Sequence, residues 1–201
     1  MAPEQIAAIA AYAFASSITP GPNNTMLMAS GVNFGFQRSI PHMLGVCCGF
    51  SAMLLALGCG IGSLFQAYPA LHDILRYVGG AYMLYLAWII ATAHPQNAVQ
   101  SRDPISFLQA AAFQLVNPKA WMMAIGAVAG YVATDNLLAS LAVLTGIFAV
   151  INALCIIAWT GGGVALRRAL GSSERLRLFN VAMALLLVVS LIPMVFPHLL
   201  E

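Results

Sequence analysis

Two short runs of proline, glycine, asparagine and lysine carry whatever chemistry this sequence performs. They are Thr19-Pro20-Gly21-Pro22-Asn23-Asn24 and Gln114-Leu115-Val116-Asn117-Pro118-Lys119, each set inside a long apolar stretch. Pro20 and Pro22 remove two backbone donors and leave Gly21 as a pivot between them. Asn117-Pro118 has the form of a helix start, with Asn as N-cap and Pro at the first helical position. A helix that restarts at either run presents unpaired N–H groups and a positive dipole end. Asn23, Asn24 and Lys119 add donors at the same places, so a carboxylate is drawn there. The carbonyls ending the preceding half-helices, around Ser16 to Ile18 and at Leu115, are set to receive an ammonium group. The ligand that fits both ends is a small zwitterion.

Lys119 sits about 12 residues into its apolar stretch, roughly 18 Å deep at 1.5 Å per residue. None of the six acidic residues lies inside such a stretch, which leaves Lys119 as the lone formal charge of the interior. Proline kinks also occur in membrane helices that bind nothing. Lys119 equally fits a structural plug, hydrogen-bonded to carbonyls of the opposite break.

The elements that must hold these runs are helices in a bilayer. The chain has 201 residues, 61% hydrophobic and only 7% charged, with mean hydropathy +0.89. Soluble domains carry roughly a quarter charged residues. About 20 mostly apolar residues span the hydrocarbon, and six stretches qualify: Ile6 to Gly31, Met43 to Phe65, Ile74 to Ala93, Phe107 to Val132, Leu137 to Thr160, and Leu178 to Leu199. The expected fold is all-α and polytopic, one domain over 1–201. Its separators are Phe36-Gln37-Arg38, Tyr68-Pro69, the stretch from His94-Pro95 to Asp103-Pro104, Asp135-Asn136, and a basic loop from Arg167 to Arg177.

Pro20 and Pro118 stand 98 residues apart, almost half the chain. Each half (1–98 and 99–201) then holds three spans, the first of them broken near the midplane. An odd number of spans per half inverts one half against the other, giving a 3+3 inverted repeat. Matched broken helices in inverted halves mark a transporter binding site. Arg38, Arg102, Arg167, Arg168, Arg175 and Arg177 lie in the odd loops against Arg76 alone in the even ones. Positive residues stay inside, so both termini are expected on the periplasmic face of a bacterial inner membrane.

Other chemistry is disfavoured. A net charge of +2 gives no footprint for nucleic acid. Cys47, Cys48, Cys59 and Cys155 lie in apolar runs without metal spacing and read as buried inert thiols. His42, His72, His94 and His198 fall near span ends, and no zinc pair or oriented Ser/His pair accompanies them. Neither a catalytic residue, a metal nor a cofactor is expected, and no phosphate-cradling motif suggests ATP as the driver. The opening Met1-Ala2-Pro3-Glu4-Gln5 lacks the positive charge of a cleavable signal, so the first apolar run reads as a permanent span. Gly31 with Gly35, and Gly45 with Gly49, have the spacing that brings membrane helices close. Gly58-Cys59-Gly60-Ile61-Gly62 lies in a span with no strand before it and is not a nucleotide loop. Tyr77, Tyr82, Tyr85 and Trp88 suit a pathway lining or an interfacial anchor equally.

The two runs, together with Gly31, Gly35-Phe36, Gly45, Gly79-Gly80-Ala81-Tyr82-Met83-Leu84-Tyr85-Leu86 and Pro104-Ile105-Ser106-Phe107, resemble the lysine exporter and homoserine/threonine exporter (LysE/RhtB) family. The pieces follow in order over nearly the whole chain. The Asn-Asn after Pro22 and the Pro-Ile-Ser-Phe entry look most like the branch of cysteine and O-acetylserine exporters. Gly80 departs from the family's Gly-Ala-Ala-Tyr pattern, and methionine is frequent, which leaves substrate choice open. The resemblance implies efflux of an amino acid or derivative driven by the proton gradient. It implies functional roles for Pro20, Gly21, Pro22, Asn23, Asn117, Pro118 and Lys119. Asn24 and Gln114, in the same motifs, complete the candidate set. With no carboxylate in the interior, protons must travel on Lys119 or on the substrate. The expected partners are thus a zwitterionic substrate, protons and the bilayer, with a homodimer left open. The competing readings are a non-transporting assembly subunit and an intramembrane enzyme.

Overall fold

The computed structural model describes residues 1–62, 67–68, 70–93, 103–133 and 136–192, including all of their side chains except those of Leu71, His72 and Arg76. The ends of the expected second and sixth spans, the loop residues 94–102 and Asp135 lie outside the described residues, as do Pro69, His198 and Glu201.

Among the described residues there are eight α-helices and no strand. They are α1 (Pro3–Ile18), α2 (Pro22–Arg38), α3 (Ile40–Ala56), α4 (Ala70–Ala91), α5 (Phe107–Gln114), α6 (Pro118–Tyr131), α7 (Leu137–Leu170) and α8 (Ser173–Val189). A π-helical turn, Leu57–Ile61, extends α3. Among the described residues, three helical stretches are long and apolar enough to cross a membrane: Ile40–Ile61, Asp73–Ala91 and Leu137–Leu170. Large apolar side chains crowd the outside, with Leu138 at 76% and Leu108 at 75% exposure. Such a surface suits lipid tails.

Both expected breaks are present, and local chemistry explains each. α1 stops at Ile18 because Thr19 precedes a proline and takes an extended conformation, φ −63° and ψ 141°. α2 reopens on Pro22 at its first position. α5 begins with a capping box, in which Ser106 Oγ accepts from the Gln109 N–H at 3.3 Å and Gln109 Oε1 accepts from the Ser106 N–H at 2.9 Å. It ends at Gln114, and α6 reopens on Pro118 with Asn117 as N-cap. Each gap is therefore three residues long and closes on a proline. Pro20 lies in the gap that ends α1, whereas Pro22, like Pro118, stands at the first position of the next helix.

Glycines bring the helices together in two crossings, the first of them reciprocal. A Cβ on Gly31 of α2 would collide with the Thr160 carbonyl of α7, and one on Gly163 of α7 with the Met28 carbonyl of α2. In α3, Gly45 meets the Phe107 carbonyl of α5, and a Cβ on Gly49 would lie 2.7 Å from Ala111 Cα. These contacts bear out the close-approach role expected for Gly31, Gly45 and Gly49. Gly35 does something else. Its φ of 79° kinks α2 near its C-terminal end, and a Cβ there would have nothing within 4 Å.

Two further expectations change in detail. The fifth apolar stretch continues as helix to Leu170, and the basic loop shrinks to a corner at Gly171 and Ser172. Gly171 takes φ 60°, a left-handed helix end, and Ser172 Oγ caps α8 by accepting from the Arg175 N–H. His42 lies only three residues into α3, yet it is fully buried, with both ring nitrogens unpartnered among the described residues.

In the packing, α1 lies on α7 and α5 on α3, while α4 packs on α8. One apolar cluster gathers around Leu27, Met83, Phe113 and Leu187. A second gathers around Ile9, Phe50, Leu144 and Phe148.

Candidate functional site

The end of α1 supplies a row of carbonyls with no intrahelical donor, and side chains from the break itself and from distant helices fill it. Thr19 Oγ1 donates to the Ser16 carbonyl at 3.0 Å. Asn24 Nδ2 donates to the carbonyls of Ser17 and Thr19, both at 2.8 Å. Trp159 Nε1, on α7, donates to Ile18 O at 3.2 Å. Lys119 Nζ reaches across from α6 to Thr19 O at 2.5 Å, Thr19 Oγ1 at 2.9 Å and Pro20 O at 3.4 Å. The lysine stem passes over Gly21, where a Cβ would sit 2.7 Å from Lys119 Cδ. A side chain at position 21 would push the lysine stem aside; the Gly21 φ of −178° is itself open to any residue.

A second link joins the breaks. Asn23 Nδ2 donates to Gln114 Oε1 at 2.8 Å, and Gln114 Nε2 donates back to Asn23 Oδ1 at 3.1 Å. Gln114 is fully buried and also donates to the Ala110 carbonyl at 2.9 Å. At the second break, Asn117 Oδ1 accepts from the Lys119 backbone N–H at 3.1 Å, and Trp121 Nε1 donates to Leu115 O at 2.8 Å.

All nine residues singled out from the sequence thus fall at one locus, in different roles. Asn24 and Asn117 close their own breaks. Pro20 and Pro118 set where helices stop and start, as does the buried Pro22. Asn23, Gln114 and Lys119 tie one break to the other, with Gly21 leaving room for the lysine. The α1 carbonyls expected to hold an ammonium already hold one, that of Lys119.

Between the breaks lies a cavity of about 20 Å³ lined by Gly21, Asn23, Asn24, Asn117 and Lys119. That is space for one water and not for an amino acid. Its remaining wall includes Ser17 of α1, Phe50 of α3, Met123 of α6 and Asn152 of α7. Sequence reasoning reached the Ser16 to Ile18 segment through its carbonyls, but missed Phe50, Met123, Asn152 and Trp159. The one legible signal was Asn152, an amide inside the most apolar span.

The Asn23–Gln114 pair yields a stability test. Asn23→Leu leaves the buried Gln114 amide short of a partner, worth about 1–3 kcal/mol, and the transition temperature in detergent should fall. Asn23→Leu with Gln114→Leu removes both amides and should recover part of that loss. Additive losses in the double variant would count against reciprocal pairing.

A bundle of apolar helices in which two interrupted helices face each other around one half-buried amine defines a membrane translocator. A model of the family described as LysE type translocator matches residues 14–191, and the chain belongs to that family. Curated relatives include the cysteine/O-acetylserine efflux protein of Salmonella choleraesuis (strain SC-B67), 31% identical over 193 residues, covering 94% of this chain and 96% of the relative. The protein of the same name from Escherichia coli (strain K12) is 32% identical over 190 residues, with the same coverage. No solved structure matches the chain. Family and relatives agree with the resemblance read from the two runs, and a translocator moves its cargo unchanged, which sets the enzyme reading aside.

Proposed function

We propose that this chain is a secondary exporter that carries a small amino acid or amino-acid derivative out across a bacterial inner membrane in exchange for protons. The observation that carries the reading is the reach of Lys119 from one broken helix to the Thr19 and Pro20 carbonyls at the other. The names of the relatives support amino-acid-like cargo. The substrate's carboxylate would meet the N-termini of α2 and α6, as anions do at helix starts. Its ammonium would take the α1 carbonyls that Lys119 now occupies.

In this reading the lysine is a tethered stand-in for the substrate's ammonium. On the cytoplasmic side Lys119 gives up its proton, its bonds to the carbonyls weaken, and the substrate ammonium replaces it. After release outside, Lys119 takes a proton from the periplasm and refills the carbonyl row, which returns the carrier empty. The cavity of about 20 Å³ is then the closed, unloaded condition, and loading must spread the two breaks. Six spans in a 3+3 inverted repeat complete the proposal. They are supported by the equal three-residue gaps that both close on proline, and by the exchange of α1 onto α7 and α5 onto α3. The positive-inside bias puts the corner at Gly171 in the cytoplasm and both termini in the periplasm.

The test is counterflow in proteoliposomes of purified protein with labelled cysteine, O-acetylserine and serine under an imposed pH gradient. One-for-one exchange should hold an accumulation ratio of about tenfold per pH unit, because each unit is worth about 1.36 kcal/mol. Transport indifferent to the gradient would remove the proton from the scheme. No movement of any amino acid would remove the scheme itself.

A further inference from the structure

Two polar groups in the cavity between the breaks are left idle by the zwitterion reading. Ser17 Oγ is buried, with no hydrogen-bond partner among the described residues. Asn152 is 9% exposed, and among the described residues its amide has no hydrogen-bond partner. Both line the same cavity. Their neighbours are all engaged: Ser16 donates to the Tyr12 carbonyl, Asn23 pairs with Gln114, and Asn24 and Asn117 close the breaks. An unpaired buried hydroxyl such as that of Ser17 is costly to keep, and the unpartnered Asn152 amide lines the same cavity. Polar groups in membrane segments are rare and tend to mark pathways.

Their position is fixed. Asn152 and Trp159 are seven residues apart on α7 and so share a face, and Trp159 is anchored on the end of α1 through Ile18 O. Asn152 is therefore held two turns away on the side that faces α1. The wall beside it is apolar, formed by Phe50, Ala120 and Met123.

We propose that Ser17 and Asn152 form a side-chain-reading subsite. They hydrogen-bond the hydroxyl, thiol or ester oxygen of a small uncharged polar substrate, while the breaks hold its zwitterion. Phe50 and Met123 offer no counter-charge, so acidic and basic side chains are refused. A site built to pair a polar atom discriminates against the analogue that lacks it, because its own groups are then stranded. The inference rests on the proposed function and names the substrate class of that same site.

Serine and alanine differ by the hydroxyl alone, so they are the probes. Labelled serine and alanine are each exported from proteoliposomes by wild type, Ser17→Ala, Asn152→Leu, Asn152→Ala and Lys119→Met. Wild type should favour serine, and the serine-to-alanine ratio should fall about 3- to 10-fold in each of the first three variants, chiefly through serine. Asn152→Leu should melt no lower than wild type, since it replaces an unpartnered amide in an apolar helix by an apolar group of similar size. If it fails to fold, Asn152→Ala and Ser17→Ala carry the comparison. A wild type without preference, an unchanged ratio in the variants, or an equal fall for both substrates overturns the subsite. Wild type that exports neither substrate, or Lys119→Met that exports both at the wild-type rate, overturns the underlying exporter scheme instead.

Discussion

Lys119→Met protein should insert, fold and melt close to wild type, yet export at about one-hundredth of the wild-type rate. Methionine matches the length of the lysine stem, and the passage over Gly21 stays filled. What disappears is the ammonium that donates to Thr19 and Pro20. Hydrogen bonds from charged groups are worth about 1.5–3 kcal/mol each, and a hundredfold change in rate corresponds to about 2.7 kcal/mol. Losing the switch that fills and empties the carbonyl row is enough for that effect. The fold suffers less, because removing a charge from a low-dielectric region offsets part of the lost bonding. Lys119→Arg should also fail, since a planar guanidinium does not fit where a single Cβ on Gly21 would already press on the stem. Measured efflux from vesicles, beside a melting curve, separates these outcomes. Full export by the methionine variant would take the switch away from Lys119.

The second large effect is on assembly. Gly31→Ala and Gly163→Ala should each lower the transition temperature by roughly 5–10 °C, with overpacking of about 1–3 kcal/mol spread over a chain of this size. Both new methyl groups would meet backbone carbonyls, Thr160 O and Met28 O, which cannot swing aside as a side chain can. Gly161→Ala is the internal comparison. It lies on the same helix with nothing within 4 Å of its Cβ position, and its melting should match wild type within about 1 °C. Equal behaviour of all three alanine variants would show that the α2–α7 crossing yields more easily than its geometry suggests.

The breaks are legible in the sequence because helix starts and stops depend on adjacent residues. Asn117 as cap and Pro118 at the first position follow from the dipeptide alone. The register between the breaks is less legible. Pro20 and Pro22 look alike in one dimension, and only the ends of α1 and α2 tell the stop from the start. The stretch 137–160 reads as a span because apolarity ends near the arginines, but nothing in it forbids helix, so α7 runs on until Gly171 permits a left-handed turn. The partners of the α1 carbonyls are out of reach. Trp159 lies 141 residues from Ile18, and no local pattern announces such a bond. Asn152 is easily passed over because charge is the louder signal in an apolar chain, whereas the proposed subsite turns on its amide having no partner among the described residues.

The length of α7 has a mechanical consequence. At 34 residues it measures about 51 Å, well beyond a hydrocarbon layer of about 30 Å, so it stands as a continuous mast through and past the bilayer. α1 and α2 both lean on it, while its far end carries Arg167 and Arg168 beside the opening of α8. Any rocking of the short half-helices is thus motion against a stiff post moored by its basic foot, and displacement during a transport cycle concentrates in the short pieces.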